Sequence, residues 1–227
     1  PTIGRHLAVI EGNEIPARRT AAASALAGDY LARADASSLL VVGSGHVAAM
    51  LPAAWAAVRP IGQVRVWNRS PEGARRLVAT LRAGGFDAEV AAALEPAVRA
   101  SDIVSCATLA TAPLIQGAWL APGAHLDLIG GYRPDMREAD DAAVARASVF
   151  IDTDAALAEA GDLTQAIAAG ALAREAIRGD LFTLCRGETA GRRTPEEITL
   201  FKSVGSAIED LAAAGLVYED RKQAIPV

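Results

Sequence analysis

The sequence predicts an α/β protein built on a doubly wound parallel sheet, and three observations lead there. Short apolar runs alternate with helical stretches between about residues 38 and 152, the order that lays helices on both faces of a parallel sheet. The first of these runs, Leu39-Leu40-Val41-Val42, ends in Gly43-Ser44-Gly45, with a small residue, Ala48, three positions further on. A second run, Val64-Arg65-Val66-Trp67, follows after a helical stretch, as a βαβ unit requires.

Taken in order, Arg5–Ile10 reads as a strand, turned by Glu11-Gly12-Asn13. Pro16 suits the first turn of a helix reaching about Leu31, because its missing N–H is not needed there. Residues 33–37 form a polar connector. Strands are expected at about 38–43, 63–68, 87–90, 102–107, 124–130 and 148–152, with helices in most of the gaps. Ser70-Pro71 supplies the N-cap and first position of one of these helices. Beyond Asp162 the pattern reads as helical. Arg192–Glu197 resembles a helix start, with Pro195 in the first turn. The helix that follows is expected to run through Ile198, Phe201, Val204, Ile208 and Leu211 and to return onto the N-terminal segment.

With 227 residues, 52% of them hydrophobic, the chain can bury a large core in one or two domains. A net charge of −5 without a basic stripe argues against nucleic acid as a partner. Cys106 and Cys185 stand apart, so neither a metal site nor a disulfide framework is expected, and a reducing cytoplasm fits. No apolar run approaches the roughly 18 residues of a membrane helix, and no signal-peptide pattern opens the chain. No membrane partner is therefore expected.

Gly43-Ser44-Gly45 with Ala48 is the G-x-G-x-x-A form of a Rossmann-type dinucleotide fingerprint. Gly43 permits the turn, Gly45 lets the backbone approach the pyrophosphate, and Ala48 lets helix and strand pack closely. Free N–H groups and the helix dipole then face the phosphates. Ser44, His46 and Val47 sit around this turn and join the cofactor set; His46 reads rather as a more distant or solvent contact. The end of the second strand normally carries an acid when a ribose 2′-hydroxyl must be bound. Here it reads Asn68-Arg69-Ser70. Arg69 and Ser70 can instead hold a 2′-phosphate, so NADP(H) is expected, with NAD(H) the alternative. The competing reading makes Arg69 a solvated turn residue. Cys106-Ala107-Thr108, Gly130-Gly131-Tyr132 and Asp152-Thr153 end later strands and are expected to face the cofactor crevice.

Several blocks together resemble the ornithine cyclodeaminase/mu-crystallin family: Glu14-Ile15-Pro16-Ala17-Arg18-Arg19-Thr20-Ala21-Ala22-Ala23-Ser24, the turn Gly43-Ser44-Gly45, and Phe201-Lys202-Ser203-Val204-Gly205 followed by Ile208-Glu209-Asp210. The resemblance runs from about residue 8 to residue 220. It implies that Arg19 clamps a substrate carboxylate, as a bidentate guanidinium can, and that Thr20 lies near the nicotinamide. The alternative for Arg18 and Arg19 is a pair of solvated helix residues. By the same resemblance Lys202, Ser203, Val204 and Gly205 close the cofactor site, although Lys202 also reads as an exposed helix lysine. The family further implies a homodimer. Residues 33–192 would form the Rossmann domain, while 1–32 and 193–227 would be part of a smaller N-terminal substrate and dimerisation domain, completed by the C-terminal helix. Family members usually carry several dozen further residues upstream, which supply much of that domain.

One departure is chemical. Ornithine cyclodeaminases have an aspartate after this Gly-Gly pair, in a pattern like G-G-D-x-P-G-K, whereas this chain has Tyr132, with Met136 in place of the lysine. The segment Arg133-Pro134-Asp135-Met136-Arg137-Glu138-Ala139-Asp140-Asp141 resembles the ketimine reductase branch, which includes mu-crystallin and bacterial Δ1-pyrroline-2-carboxylate reductases. Cyclodeamination calls for a carboxylate base, and a tyrosine is a poor one at neutral pH. Reduction of a cyclic ketimine asks chiefly for positioning. The expectation is therefore NADPH-dependent reduction of a small cyclic imino acid, Δ1-pyrroline-2-carboxylate or Δ1-piperideine-2-carboxylate, to proline or pipecolate. Arg19 and Tyr132 would serve at the substrate, Tyr132 as a packing ring or as a hydroxyl donor. Asp140 and Asp141 read as a helix N-cap and first-turn acid rather than catalytic groups. The alternatives are an ornithine cyclodeaminase, an amino-acid dehydrogenase, or a non-catalytic NADPH-binding crystallin-like protein.

Overall fold

A single eight-stranded, all-parallel sheet organises the chain, in the order β3-β2-β1-β4-β5-β8-β6-β7. The computed structural model describes residue 4 and residues 6–224. Its strands are β1 (Ser38–Val42), β2 (Gln63–Trp67), β3 (Ala88–Val90), β4 (Ile103–Cys106), β5 (His125–Leu128), β6 (Ser148–Ile151), β7 (Gly179–Asp180) and β8 (Thr199–Lys202). The helices are α1 (Glu14–Leu31), α2 (His46–Ala56), α3 (Pro71–Ala83), α4 (Leu94–Arg99), α5 (Asp141–Arg146), α6 (Ala156–Glu159), α7 (Gly161–Ala168), α8 (Leu181–Cys185) and α9 (Ala207–Ala224). The doubly wound α/β class is thus observed, and the six strands expected between 38 and 152 are all present.

Successive strand residues feed opposite faces, as the pleat demands. Leu40, Val42, Val104, Cys106, Leu126 and Leu128 pack with Ala97 and Val98 of α4, Ala143 and Val144 of α5 and Leu163 of α7. Leu39, Val41, Val64, Val66 and Ile103 pack instead with Leu51 and Trp55 of α2 and Leu77, Val78 and Leu81 of α3. Phe150 and Phe201 meet Ala27 and Leu31 of α1 and Leu184 of α8 on that second side.

Three expectations are corrected. Residues 6–10 form no strand; Leu7 and Val9 are exposed, and among the described residues no strand pairs with them. Arg5 lies outside the described residues. The helix expected through Ile198, Phe201 and Val204 is instead strand β8, seated between β5 and β6, and the helix starts only at Ala207. Thr194 makes a turn, its hydroxyl accepting the Glu197 N–H. Beyond Asp162 the chain therefore returns to the sheet twice, in β7 and β8.

Candidate active site

The fingerprint turn has the conformation its residues suggested. Gly43 has φ +121°, and a Cβ there would lie 2.5 Å from the Ala107 carbonyl oxygen. Any larger residue is thus excluded by backbone and by neighbour. Gly45, by contrast, has an ordinary negative φ, and a Cβ on it would meet no protein atom. Its missing side chain leaves open space at the N-terminus of α2, where no side chain caps the helix and no acid sits in the first turn. This cradle fits a pyrophosphate. Ala48 is fully buried against Leu39 and Val41. Ser44 and Asn68 converge beside Gly73 of α3, where a Cβ would lie 2.5 Å from Ser44 Oγ and 2.7 Å from Asn68 Nδ2. Asn68 Nδ2 also donates to the Ser70 carbonyl, and Arg69 and Ser70 are exposed beside it.

At the carboxyl ends of β4, β5 and β8 a cavity of about 240 Å³ opens. Arg19, Thr20, Val47, Ala107, Thr108, Gly130, Tyr132, Ser203, Val204 and Gly205 line it, so ten of the expected site residues meet there. Leu109 and Ile129 complete the wall. Leu109 and Ile129 were not singled out by sequence, although each adjoins an expected strand end. Tyr132 stands half exposed at the mouth. The residues that do not reach this cavity divide into three groups. Gly43 to His46 lie at the turn, and Asn68 to Ser70 beyond β2. Cys106 packs its side chain in the core with no exposure, and burial pushes its thiol well up. His46 faces Glu14, Nε2 to Oε1 3.3 Å.

Arg19 is the cation of the cavity. Its Nε donates to Asp210 Oδ1 at 2.8 Å and its Nη1 to Glu209 Oε2 at 2.9 Å, both at the start of α9. Burial holds Glu209 above the usual carboxylate range. Neither pairing was visible in the sequence, since the partners lie about 190 residues apart. On the far side of Arg19, between α1 and α9, lies a larger apolar cavity of about 610 Å³ lined by Ile15, Ala22, Leu26, Ala212 and Leu216.

The wall formed by 203–205 is held from behind. Asp152 Oδ2 accepts the N–H groups of Val204 (2.7 Å) and Gly205 (2.6 Å), and Oδ1 accepts that of Thr153. Asp152 is therefore a buried brace and not a group facing the crevice, and burial raises its pKa. Lys202 is neither exposed nor helical: it ends β8 with no exposed surface. Asp140 accepts the Ala143 N–H as the N-cap of α5, and Asp141 pairs with Arg137.

A profile of the ornithine cyclodeaminase/mu-crystallin family matches residues 1–224. The chain belongs to that family. Among its relatives, a Delta(1)-pyrroline-2-carboxylate reductase of Paracoccus denitrificans is 44% identical over 218 residues, covering 94% of this chain and 68% of its own length. The ketimine reductase mu-crystallin of Rattus norvegicus is 36% identical over 223 residues, covering 96% and 66%. The solved structure of Thermococcus litoralis Delta(1)-pyrroline-2-carboxylate reductase, in complex with NADH and L-proline, superposes with a TM-score of 0.96 at 33% identity, covering 100% of this chain and 72% of that one. The blocks at Glu14–Ser24, Gly43–Gly45 and Phe201–Asp210 thus lead to the family they resembled. Among the described residues no helix is long and apolar enough to cross a membrane.

Proposed function

We propose that this member of the ornithine cyclodeaminase/mu-crystallin family reduces the C=N bond of a small cyclic ketimine carboxylate, Δ1-pyrroline-2-carboxylate or its six-membered homologue, using NADPH. One observation carries the reading. Among the described residues the cavity wall holds a single cation, Arg19, and no Asp, Glu or His. Such a wall suits a substrate that arrives as an iminium and needs an anchor for its carboxylate, not a base for its amine. It disfavours cyclodeamination, with Tyr132 where that reaction would need its carboxylate. The reductase relatives and the proline-bound structural neighbour support the same substrate class.

Gly43–Val47 would hold the pyrophosphate, and Thr20, Ala107, Thr108, Gly130, Val204 and Gly205 would surround the nicotinamide. When bound, the reduced nicotinamide supplies the hydride that converts the C=N carbon to CH–NH. The chain's own part is to orient. Arg19, held along one edge by Glu209 and Asp210, presents Nη2, which has no hydrogen-bond partner among the described residues, to a carboxylate oxygen. Leu109, Ile129 and Tyr132 give the ring an apolar face. Arg69 and Ser70, with no acid beside them, support the 2′-phosphorylated cofactor. We also assign α1 and α9, within segments 1–32 and 193–227, to a substrate- and dimer-forming unit, with Thr199–Lys202 belonging to the sheet.

The test is oxidation of NADPH and NADH by the purified full-length protein with both ring sizes. Turnover is expected with NADPH, and Arg69→Ala should raise the KM for NADPH roughly tenfold, about 1.4 kcal/mol, while leaving that for NADH in place. Activity on ornithine with none on either imine would overturn the reading.

A further inference from the structure

Behind the cavity lie three ionisable side chains with no exposed surface: Lys202, Asp162 and Glu138. Lys202 Nζ donates to the Gly130 carbonyl and lies 3.3 Å from Asp162 Oδ2. Asp162 Oδ1 accepts the N–H groups of Glu138 (2.8 Å) and Ala139 (3.0 Å). Glu138 Oε1 in turn accepts both the N–H and the hydroxyl of Thr108, each at 2.7 Å. Its other oxygen has no partner among the described residues, and burial pushes its carboxyl up to about 7. The contacts run without a break from β8, through α7 and the segment before α5, to the end of β4.

Two of the segments so joined, Thr108 and Gly130, are cavity wall. The fit between cluster and wall leaves no room for a side chain. A Cβ on Gly130 would overlap the Thr108 carbonyl and the Glu138 carboxyl, and one on Gly131 (φ +62°) would overlap Asp162. Apolar side chains of similar volume often stabilise a fold as well as a buried ion pair does. What such a cluster adds is fixed geometry. We propose that Lys202, Asp162 and Glu138 are positioning residues for the nicotinamide end of the site, tying Thr108, Gly130–Gly131 and Glu138–Ala139 together around one buried cation. This rests on the nicotinamide reading above.

The test compares the intact cofactor with its nicotinamide-free fragment. In the full chain, Lys202→Met combined with Asp162→Asn removes both members of the ion pair together. Glu138→Gln alone leaves the Lys202–Asp162 pair intact, keeps an oxygen for the Thr108 N–H and hydroxyl, and serves as the milder variant if the double one does not fold. Fluorescence titration gives the Kd of NADPH (or NADH, whichever the wild type binds) and of the matching ADP-ribose, with or without its 2′-phosphate. The cofactor should weaken at least about tenfold in the double variant and by less in the single one, with kcat falling in the same order and the fragment holding its wild-type Kd. Parallel weakening of cofactor and fragment would show a merely structural role and overturn the proposal, as would no change in either. A wild type that binds the fragment but gains nothing from the nicotinamide overturns the functional reading itself, and this inference with it. Normal wild-type binding with indifferent variants overturns the inference alone.

Discussion

Asp127 offers the sharpest quantitative test of how α1 is fixed to the sheet. It sits mid-strand in β5, fully buried, accepting Ser24 Oγ of α1 at 3.0 Å and Ser105 Oγ of β4 at 2.5 Å. Burial raises its pKa from the ordinary 3.8 to about 6, against the opposing pull of the two hydroxyls and Lys202. Below 3.8 the carboxyl is protonated in both folded and unfolded chains and contributes no pH dependence. Between 3.8 and about 6 the folded chain keeps a proton that the unfolded chain has released, so stability falls as pH rises. Above 6 the deficit is constant. At about 1.4 kcal/mol per pKa unit it amounts to about 3 kcal/mol. Asp127→Asn removes the titration while keeping an oxygen for Ser24 and turning an NH₂ toward the Ser105 hydroxyl. Urea denaturation from pH 4 to 8 should show the variant gaining on wild type across pH 4–6 and then running level, with an m-value unchanged. The gain corresponds to a Tm shift of roughly 6–12 °C for a chain of this size. If the difference between the two proteins is the same at pH 4 and pH 8, the carboxyl does not titrate as a buried acid and the reasoning fails.

Two further substitutions probe the same helix from its ends. Gly205→Ala places a methyl where the Arg19 guanidinium now lies, at a φ of +85°; the KM for the imine carboxylate should rise roughly tenfold, about 1.4 kcal/mol, and steady-state kinetics at saturating cofactor checks it. Arg59→Ala strips donors from the carbonyls of Gly28, Asp29 and Ala32; chemical denaturation should show a loss of about 2–4 kcal/mol, and a loss below 0.5 kcal/mol would mean water replaces the guanidinium without cost.

The contrast between what the sequence disclosed and what it hid follows from the kind of signal each feature leaves. Strands β1 to β6 were legible to within a residue or two, because each is an apolar run closed by turn residues. The fingerprint was legible because Gly43 and Gly45 are local requirements of backbone and space. Strand β8 was not, for a physical reason: all four of its residues are buried, so the alternation that marks a half-exposed strand is absent. Ile198, Phe201 and Val204 happen to keep helical spacing. Lys202 misled in the same way, since a lysine is almost never fully buried unless paired, and its partner Asp162 lies 40 positions upstream. The segment at 6–10 failed in the opposite sense: its apolar residues suit a strand, but no described strand pairs with it. Of the site, the small and polar strand ends were readable, while the braces behind them, Asp152 on 204–205 and Glu209 and Asp210 on Arg19, are long-range pairings that no local pattern records.

These braces share a logic that bears on Arg19. The C-terminal turn of α1 is fastened almost completely: Arg59 takes the carbonyls of Gly28, Asp29 and Ala32, Arg192 donates from Nε to that of Leu31 and from its backbone N–H to that of Tyr30, and Thr199 Oγ1 adds a second bond to Leu31. Apart from that of Gly28, which also accepts the Ala32 N–H, these are the acceptors a helix leaves unsatisfied at that end, and guanidinium groups there also oppose the negative end of its dipole. The helix is pinned again at mid-length by Ser24 on Asp127. Arg19 lies five residues before Ser24, a distance of about 7.5 Å along the axis at 1.5 Å per residue, so the backbone that carries it is set by contacts with the sheet rather than by the ligand. What remains adjustable is the long side chain, and Glu209 and Asp210 take up that freedom from α9. A guanidinium ordered in advance loses less entropy when a carboxylate docks, and the clamp proposed at Arg19 therefore depends on α9 holding its place at least as much as on Arg19 itself.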